Sequence, residues 1–332
     1  MTESSTTKGL SVADPQTADQ LRDTLGTLAT EAVSDRTADL DLMSVEELVA
    51  AMNAADAEVP VAVARASASI VAAATGISER LRRGGRLIYA GAGTAGRMGV
   101  IDASEIPPTF GAPPELVVGV MAGGDGALVT AVENAEDDAD GGRAAMRGLH
   151  VGPLDAVVGI SASGRTPYVL GALAQAREAG AFTVGLSCND ASAVGSAAEV
   201  GIEIVVGPEV LTGSTRLKSG TAQKMVLNML STIAMVRQGK VYGNLMVDLR
   251  ATNAKLRARS VRTVMLATGA DATAAAEALD KTGGWIKAAI LLCETTLSPD
   301  DAVSLLAHHG GRLRDALLAA EPASGRSAEH DV

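Results

Sequence analysis

Five short apolar runs, each followed by a helical pattern, limit what this chain can fold into more than any other feature. The runs lie at residues 86–90, 116–121, 156–161, 182–187 and 202–206. None of them alternates polar with apolar residues in a sustained way, so we expect both faces of the strands to be covered. The helical patterns between and after the runs lie at residues 127–138, 141–147, 167–179, 191–199 and 216–238. This order predicts an α/β fold with a doubly wound, five-stranded parallel sheet.

Helices are predicted on both sides of this α/β region. Ser44 and Glu47 match a capping box, which indicates the start of a first helix. Apolar residues recur on one face over residues 60–83, which predicts a second helix that two glycines end. After Gly243 the helical patterns continue without a strand, at residues 253–267, 271–281, 286–294, 299–308 and 312–319.

These patterns divide the chain into five parts. The parts are a disordered tail at 1–26, an N-terminal helical segment at 27–83, the α/β domain at 84–243, a small helical domain at 250–320 and a second tail at 321–332. Both tails are expected to be disordered because they carry no sustained apolar pattern. Ligands of the α/β domain should bind outside the carboxyl ends of its strands.

Charge and composition exclude several classes of function. The net charge of −11 argues against broad binding of nucleic acid, which needs a basic surface. No apolar run reaches the roughly 18–20 residues that span a bilayer, and the N-terminus lacks a secretory pattern. The two cysteines and four histidines have no ligand-like spacing, so we predict free thiols and no metal site. We expect a cytoplasmic protein without a membrane or nucleic-acid partner.

Polar loops follow the first and third predicted strands. The first loop, at residues 91–97, half matches a dinucleotide fingerprint, but no acidic residue ends the next strand as ribose binding requires. The second loop, at residues 161–166, carries Ser161, Ser163 and Thr166 just before a helix and suits a phosphate monoester. Each loop alone also fits an ordinary strand–helix turn. Two such loops in one sheet favour a sugar-phosphate site.

A third polar loop, at residues 212–218, precedes the long helical pattern. Its Arg216 and Lys218 either neutralise a phosphate or carboxylate, or simply cap and solubilise the helix. The loop therefore leaves both interpretations open.

Two groups of carboxylates are candidates for chemistry. Glu105 lies in an apolar, proline-bounded segment, which predicts a partly desolvated acid with a raised pKa, as a general acid needs. The other group recurs at i, i+3, i+4 and i+7, and this spacing predicts the solvated face of a helix; its members are Glu133, Glu136, Asp137 and Asp140. The residues alone thus indicate a sugar-phosphate-binding α/β protein with candidate acids, and no particular reaction.

Long motifs in these regions resemble the N-acetylmuramic acid 6-phosphate etherase family. In chain order they are GAGTAGRMGVIDASEIPPTFG, AGGDGALVTAVENAEDD, VGISASGRTPYV, GPEVLTGSTRLKSGTAQKMVLNMLST and GKVYGNLMVDLRATNAKL, within a likeness over about residues 28–320. The resemblance implies a sugar isomerase (SIS) domain. It implies cleavage of the D-lactyl ether of N-acetylmuramic acid 6-phosphate by elimination and hydration, giving N-acetylglucosamine 6-phosphate and D-lactate in peptidoglycan recycling. It also implies a homodimer that needs no metal or organic cofactor.

The same resemblance implies the roles of the site residues. The D-A-S-E motif makes Glu105 the proton donor, and the E-x-A-E-D motif makes Glu136 the second catalytic residue, the base for the C2 proton. Substrate contacts are expected from Gly93, Thr94, Ser161, Ser163, Thr166 and Ser214. Ala95 stands where the family usually has serine, so we expect the first loop to contact the substrate less well. Residues 30–35 depart from the family pattern, and we assign them no contact.

One distance constrains how Glu105 is used. If a helix ran unbroken from Thr94 to Glu105, its ends would be about 16 Å apart. One small sugar cannot touch both residues within a single subunit. Either the helix breaks early, or Glu105 serves a site shared with a second chain, as a homodimer would allow. We favour the shared site.

Two other functions fit the same loops. One is a non-catalytic sugar-phosphate regulator similar to the related glucokinase regulatory protein, which is about twice as long and has two SIS domains. The other is an aldose–ketose sugar-phosphate isomerase, which would share the loops without needing this pair of carboxylates. Glu105 and the single SIS unit favour the etherase.

Overall fold

The central feature of the fold is a five-stranded parallel sheet. The computed structural model describes residues 22–23, 25–130, 132–249, 251 and 253–320. The strands are β1 Leu87–Gly91, β2 Val117–Met121, β3 Ala156–Ile160, β4 Phe182–Ser187 and β5 Val200–Glu203. They are all parallel and lie in the order β2-β1-β3-β4-β5. The predicted doubly wound α/β sheet is therefore confirmed.

The fifth strand differs from its predicted position. The prediction covered residues 202–206, whereas β5 begins at Val200 and ends at Glu203. Ile204 still donates its N–H to the carbonyl of Ser187 at 2.9 Å, and both Ile204 and Val206 are buried. The apolar run therefore continues past the regular ladder as buried, extended chain, which composition does not distinguish from a strand.

Helices pack around this sheet and beyond it. They are α1 Val45–Asp56, α2 Val59–Arg65, α3 Ser67–Arg82, α4 Gly93–Phe110, α5 Ala139–Gly148, α6 Pro167–Glu178, α7 Ala193–Ala197, α8 Lys218–Arg237, α9 Ala254–Thr268, α10 Ala272–Lys281, α11 Ile286–Glu294, α12 Pro299–His308 and α13 Leu313–Ala319.

Both faces of the sheet are covered, as the non-alternating strands predict. On one face Leu87 and Tyr89 share a core with α3, α4 and α8. On the other face Ile88 and Ala90 share a core with α5, α6 and α7. Every residue of β1, β3 and β4 is buried, which is why these strands read as continuous apolar runs.

The N-terminal helices follow the prediction with one break. The Ser44 hydroxyl accepts the N–H of Glu47, and the Glu47 carboxylate accepts the N–H of Ser44 at 2.8 Å, so the capping box is present. The helix predicted over 60–83 is split at Ala66 into α2 and α3. The hydroxyl of Ser67 donates to the carbonyl of Ala64, and such local bonds compete with the helical ladder and bend it.

Among the described residues, no single helix is both long and apolar enough to cross a bilayer. The segments Val45–Arg65 and Ser67–Arg82 satisfy length and composition only when taken together, and they meet at an angle of 63°.

The helix predicted over residues 127–138 is wrong. This segment contains two single 3₁₀ turns, Asp125–Leu128 and Ala135–Asp137. Gly123 and Gly124 have φ of +84° and +70°, and Asn134 has φ of +60°, so the backbone cannot continue a right-handed helix there. The four acidic residues at helical spacing therefore do not share one helix face.

The C-terminal part is helical, with one exception to the prediction. A short antiparallel hairpin, β6 Val241–Tyr242 and β7 Leu245–Met246, follows α8, so the expectation of no strand after Gly243 is wrong. Helices α9 to α13 match the five predicted helices and enclose a separate core. The predicted tails at 1–26 and 321–332 lie largely or wholly outside the described residues.

Candidate active site

Three loops begin side by side at the carboxyl edge of the sheet. Gly91 of β1 is in register with Met121 of β2 on one side and with Ile160 of β3 on the other. Neighbouring strands are about 4.8 Å apart, so the loops after β2, β1 and β3 leave adjacent points. The strand order reverses between β1 and β3, and this arrangement opens a crevice in doubly wound sheets.

The first loop is a close turn from β1 into α4. A Cβ atom on Gly96 would lie 2.7 Å from Cβ of Met121 and 2.8 Å from the carbonyl oxygen of Gly91. Gly93 has φ of +53° and is exposed at the edge. The methyl of Thr94 faces Gly220 of α8. These glycines let the helix start directly against the strand ends.

Ala95 is buried in the core beneath this turn. The expectation that the first loop contacts the substrate less well because of Ala95 stays a prediction.

The second loop gathers the three hydroxyls that the sequence singles out. The Ser161 Oγ lies 2.7 Å from Oγ1 of Thr166 and 3.3 Å from Oγ of Ser163, and it accepts the N–H of Gly164 at 3.0 Å. Gly164 has φ of +73°, and a Cβ there would lie 2.4 Å from Cβ of Ser192. The hydroxyls precede the N-terminus of α6, where the free N–H groups favour an anion.

The third loop leads into α8, and its two basic residues differ in exposure. Lys218 is 1% exposed; its Nζ donates to the carbonyl of Val206 at 2.6 Å and lies 3.6 Å from the Glu58 carboxylate. Lys218 thus supports the fold, whereas Arg216 is exposed. The fully buried Glu209 carboxylate accepts the N–H groups of Lys218 and Ser219, so a protein carboxylate already caps this helix.

Ser214 belongs to this third loop, and an N-terminal segment reaches the same region. The N–H of Ser214 donates to the carbonyl of Leu211 at 2.9 Å. The Glu31 carboxylate lies 3.1 Å from the point where a Cβ on Gly213 would stand. The buried Thr30 and Asn189 exchange hydrogen bonds of 3.3 and 3.0 Å. The sequence analysis assigned no contact to this segment, because residues 30–35 depart from the family pattern.

Glu136 and the first loop line one cavity. The cavity has a volume of about 220 Å³ and is lined in part by Gly93, Arg97, Glu133 and Glu136. A second cavity of about 590 Å³ shares Glu133 and extends toward Tyr168. Burial, and then the charge of Asp138, raise the pKa of Tyr168. Gly93 and Glu136 thus line the same cavity.

Glu105 lies away from this cavity. Helix α4 runs unbroken from Gly93 to Phe110, even across Pro107 and Pro108, so the alternative in which the helix breaks early is excluded. Glu105 lies twelve positions after Gly93, which corresponds to about 18 Å along the helix axis. Glu105 is also exposed, so the expected desolvation is absent within one chain.

A buried polar cluster holds the part of α4 that carries Glu105. Asp102 is 5% exposed; it accepts the Tyr89 hydroxyl at 2.8 Å, the Asn228 amide at 2.6 Å and the Ser231 hydroxyl at 3.1 Å. Burial, and then the Asp102 charge, raise the pKa of Tyr89 well above its usual value. Sequence reasoning missed this cluster because its members come from distant parts of the chain; Asp102 and Ser231, for example, are 129 positions apart. It fixes α4 against α8.

Fold and site together define a class. A doubly wound sheet with a serine-rich loop at its switch point and carboxylates at the same edge is a sugar-phosphate-binding α/β protein. Family models agree: residues 60–177 match the N-terminal SIS domain of glucokinase regulatory protein, and residues 135–233 match the SIS domain.

Relatives that match most of the chain identify a more specific family than the domain models do. The chain is 56% identical over 300 residues to an N-acetylmuramic acid 6-phosphate etherase from Streptomyces coelicolor, covering 90% of this chain and 96% of that protein. It is 57% identical over 293 residues to the etherase from Rubrobacter xylanophilus, covering 88% and 97%. The etherase from Pectobacterium atrosepticum is 52% identical over 294 residues, covering 89% and 97%. The chain belongs to the N-acetylmuramic acid 6-phosphate etherase family.

Proposed function

We propose that this protein cleaves the D-lactyl ether of N-acetylmuramic acid 6-phosphate, giving N-acetylglucosamine 6-phosphate and D-lactate. It is a carbon–oxygen lyase of amino-sugar metabolism, and the reaction serves peptidoglycan recycling. The observation that carries the proposal is the identity of more than half of all aligned residues with named etherases over about nine-tenths of the chain. The cavity that Glu136 lines beside Gly93 agrees with it.

The reaction needs an acid and a base. Opening of the sugar ring exposes an aldehyde at C1, which acidifies the C2 proton. Glu136 takes that proton while Glu105 gives a proton to the ether oxygen, so the C3–O bond breaks and lactate leaves. Water then adds across the C2–C3 double bond and restores the 3-hydroxyl. Two carboxyl groups in different protonation states can carry out both steps.

We further propose how the substrate lies across the edge. The cluster of Ser161, Ser163 and Thr166 binds the 6-phosphate, since it combines three hydroxyls with a helix N-terminus. Gly93 and Thr94 border the sugar, and Ser214 lines it from the third loop. This assignment agrees with the short distance between the loops after β1 and β3.

Glu105 requires a second copy of the chain in this scheme. About 18 Å of helix separates it from Gly93, so its own cavity is out of reach. Apolar surface accompanies it: Ile101, one turn earlier, is 54% exposed, and Met229 and Ile233 are exposed on the neighbouring helix α8. Exposed apolar side chains grouped in this way favour a protein contact. We propose a homodimer in which each chain donates Glu105 to the site of the other.

Two expectations stay predictions. The division into an α/β domain at 84–243 and a helical domain at 250–320 is supported by two separate cores. A cytoplasmic location is supported by composition alone.

Lactate release tests the proposed function. The purified protein is incubated with N-acetylmuramic acid 6-phosphate, and D-lactate is measured with a coupled dehydrogenase. Glu105→Gln and Glu136→Gln should each abolish release while the sugar phosphate still binds. Asp137→Asn is the matched control, because Asp137 adjoins Glu136 and is exposed outside the cavity.

The same assay separates the alternatives. A folded wild-type protein that binds the sugar phosphate and releases no lactate would support a regulator and end the etherase proposal. Interconversion of aldose and ketose phosphates without lactate would support an isomerase instead.

A further inference from the structure

The segment that carries Glu136 has little regular structure of its own. Between Ala122 and Glu136 it contains only 3₁₀ turns among the described residues, and two glycines and Asn134 hold positive φ angles. Val129 is 92% exposed, whereas Ala127 is 2% exposed. A loop of this kind depends on contacts outside itself to hold one conformation.

Arg97 supplies such contacts from the first turns of α4. Its Nε donates to the carbonyl of Leu128 at 2.9 Å, and its Nη2 donates to the carbonyl of Ala127 at 2.7 Å. The guanidinium group is planar with several fixed donors, so it can hold two successive carbonyls at once. The same side chain lines the cavity together with Glu133 and Glu136.

The start of helix α4, which carries Arg97, is packed tightly against the sheet. Its neighbour Gly96 leaves no room for a Cβ between Met121 and Gly91, so the helix start is fixed against the ends of β1 and β2. Ala122, where the segment begins, donates its N–H to the carbonyl of Gly91 at 3.0 Å. One end of the segment is thus tied to the sheet, and Arg97 ties its middle.

We propose that Arg97 is a positioning residue for Glu136: by holding the carbonyls of Ala127 and Leu128, it fixes the segment so that the Glu136 carboxylate faces the cavity beside Gly93. The inference rests on the proposed function, in which Glu136 is the base. It assigns to Arg97 a role in the rate of proton removal and not in phosphate binding, because the hydroxyl cluster of residues 161–166 lies on another loop.

The test compares Arg97→Ala and Arg97→Lys with wild-type protein. A base displaced by about 1 Å can lower the rate about 100-fold, so kcat for lactate release should fall by about that factor in both variants. KM should stay within about threefold, since the phosphate loop is unchanged. Lysine keeps the charge but not the two-carbonyl fork, so Arg97→Lys should not restore the rate.

The matched control is Arg312→Ala. Arg312 also donates to a main-chain carbonyl, that of Arg237, at 2.7 Å, but it lies in the C-terminal part of the chain. This variant should keep the wild-type kcat. Added guanidinium ion should restore part of the activity of Arg97→Ala, an effect that general destabilisation would not produce.

Hydrogen–deuterium exchange tests the contact between Arg97 and the segment without measuring activity. Amides of residues 122–136 should exchange faster in both Arg97 variants, while those of the sheet stay as in wild type. Unchanged exchange in this segment, or a wild-type kcat in Arg97→Lys, would overturn the proposal. Wild-type protein that forms no lactate would instead overturn the proposed function, and the exchange data would still decide whether Arg97 holds the segment.

Discussion

The shared site predicts that two inactive variants restore each other. Glu105→Gln and Glu136→Gln each remove one carboxyl group, so each homodimer loses both of its sites. In a mixed dimer one site combines both lesions, while the other combines an intact Glu105 from one chain with an intact Glu136 from the other. A site built within one chain cannot recover in this way, because every site would keep one lesion.

The size of the recovery follows from the geometry. The unbroken helix α4 separates Glu105 from Gly93 by about 18 Å, which excludes a site that uses both from one chain. A pure mixed dimer should therefore have about half of the wild-type activity per chain, since one of its two sites is intact. Random pairing of equal amounts should give about a quarter, because half of the dimers are mixed.

Co-expression with two different affinity tags supplies the mixed dimer. Two successive purifications retain only molecules that carry both tags, and D-lactate release is then measured against wild-type protein tagged in the same way. Mixed-tag dimers of Glu105→Gln alone control for contamination. An inactive mixed dimer, or a fully active wild-type protein that sediments as a monomer at the assay concentration, would refute the reasoning.

Three further predictions follow from other parts of the molecule. Asp155 accepts hydrogen bonds from Arg86 and from the N–H of Gly152; burial alone would raise its pKa, but these bonds outweigh burial and lower it. The ionised Asp155 therefore stabilises the fold above the ordinary aspartate pKa, and this stabilisation is lost as pH falls. In urea unfolding at pH 7, the free energy of unfolding of Asp155→Asn should be about 3 kcal/mol lower than that of wild type. This difference in stability should narrow below about pH 4. Burial raises the pKa of Cys188 to about 12, so iodoacetamide at pH 8 should leave it unmodified until the protein unfolds; mass spectrometry of native protein with modified Cys188 would contradict this. Ser163→Ala should weaken binding of the 6-phosphorylated sugar about tenfold and that of the unphosphorylated sugar hardly at all, by calorimetry; equal losses would argue against a phosphate contact.

The sheet could be predicted because burial leaves a direct mark on composition. Strands covered on both faces have no exposed positions, so each reads as a short run of mostly apolar residues. The helix predicted for the segment after β2 was wrong for the opposite reason. Leu128, Val132 and Ala135 have helical spacing, but the backbone turns left-handed at Asn134, and spacing carries no information about φ. After glycine, asparagine is the residue that best tolerates the left-handed conformation, so Asn134 was the one sign in the sequence that the helix would not continue.

The candidate site likewise has a part that the sequence predicts and a part that it does not. The hydroxyls of residues 161–166 are local to one turn after a strand, so their grouping could be predicted. Contacts between distant segments could not. Arg97 meets Leu128 across 31 positions, and Asp102 meets Asn228 across 126. Neither pair has a periodic or compositional trace, because each depends on how whole elements pack.

Helix α4 explains why one stretch of sequence carries both a loop residue and a remote acid. Its first turns, with Gly93 and Arg97, belong to the cavity of their own chain, whereas Glu105 lies three turns further on an exposed face. In the proposed twofold dimer both chains use the same surface, so the two ends of α4 can serve different sites. The hydrogen bonds of Asp102 to Asn228 and Ser231 fix α4 against α8, and in the proposed dimer they would thereby set where Glu105 meets the partner. A helix that bent freely near Asp102 would bring Glu105 to the neighbouring cavity only part of the time, and a preorganised acid is what the elimination step requires.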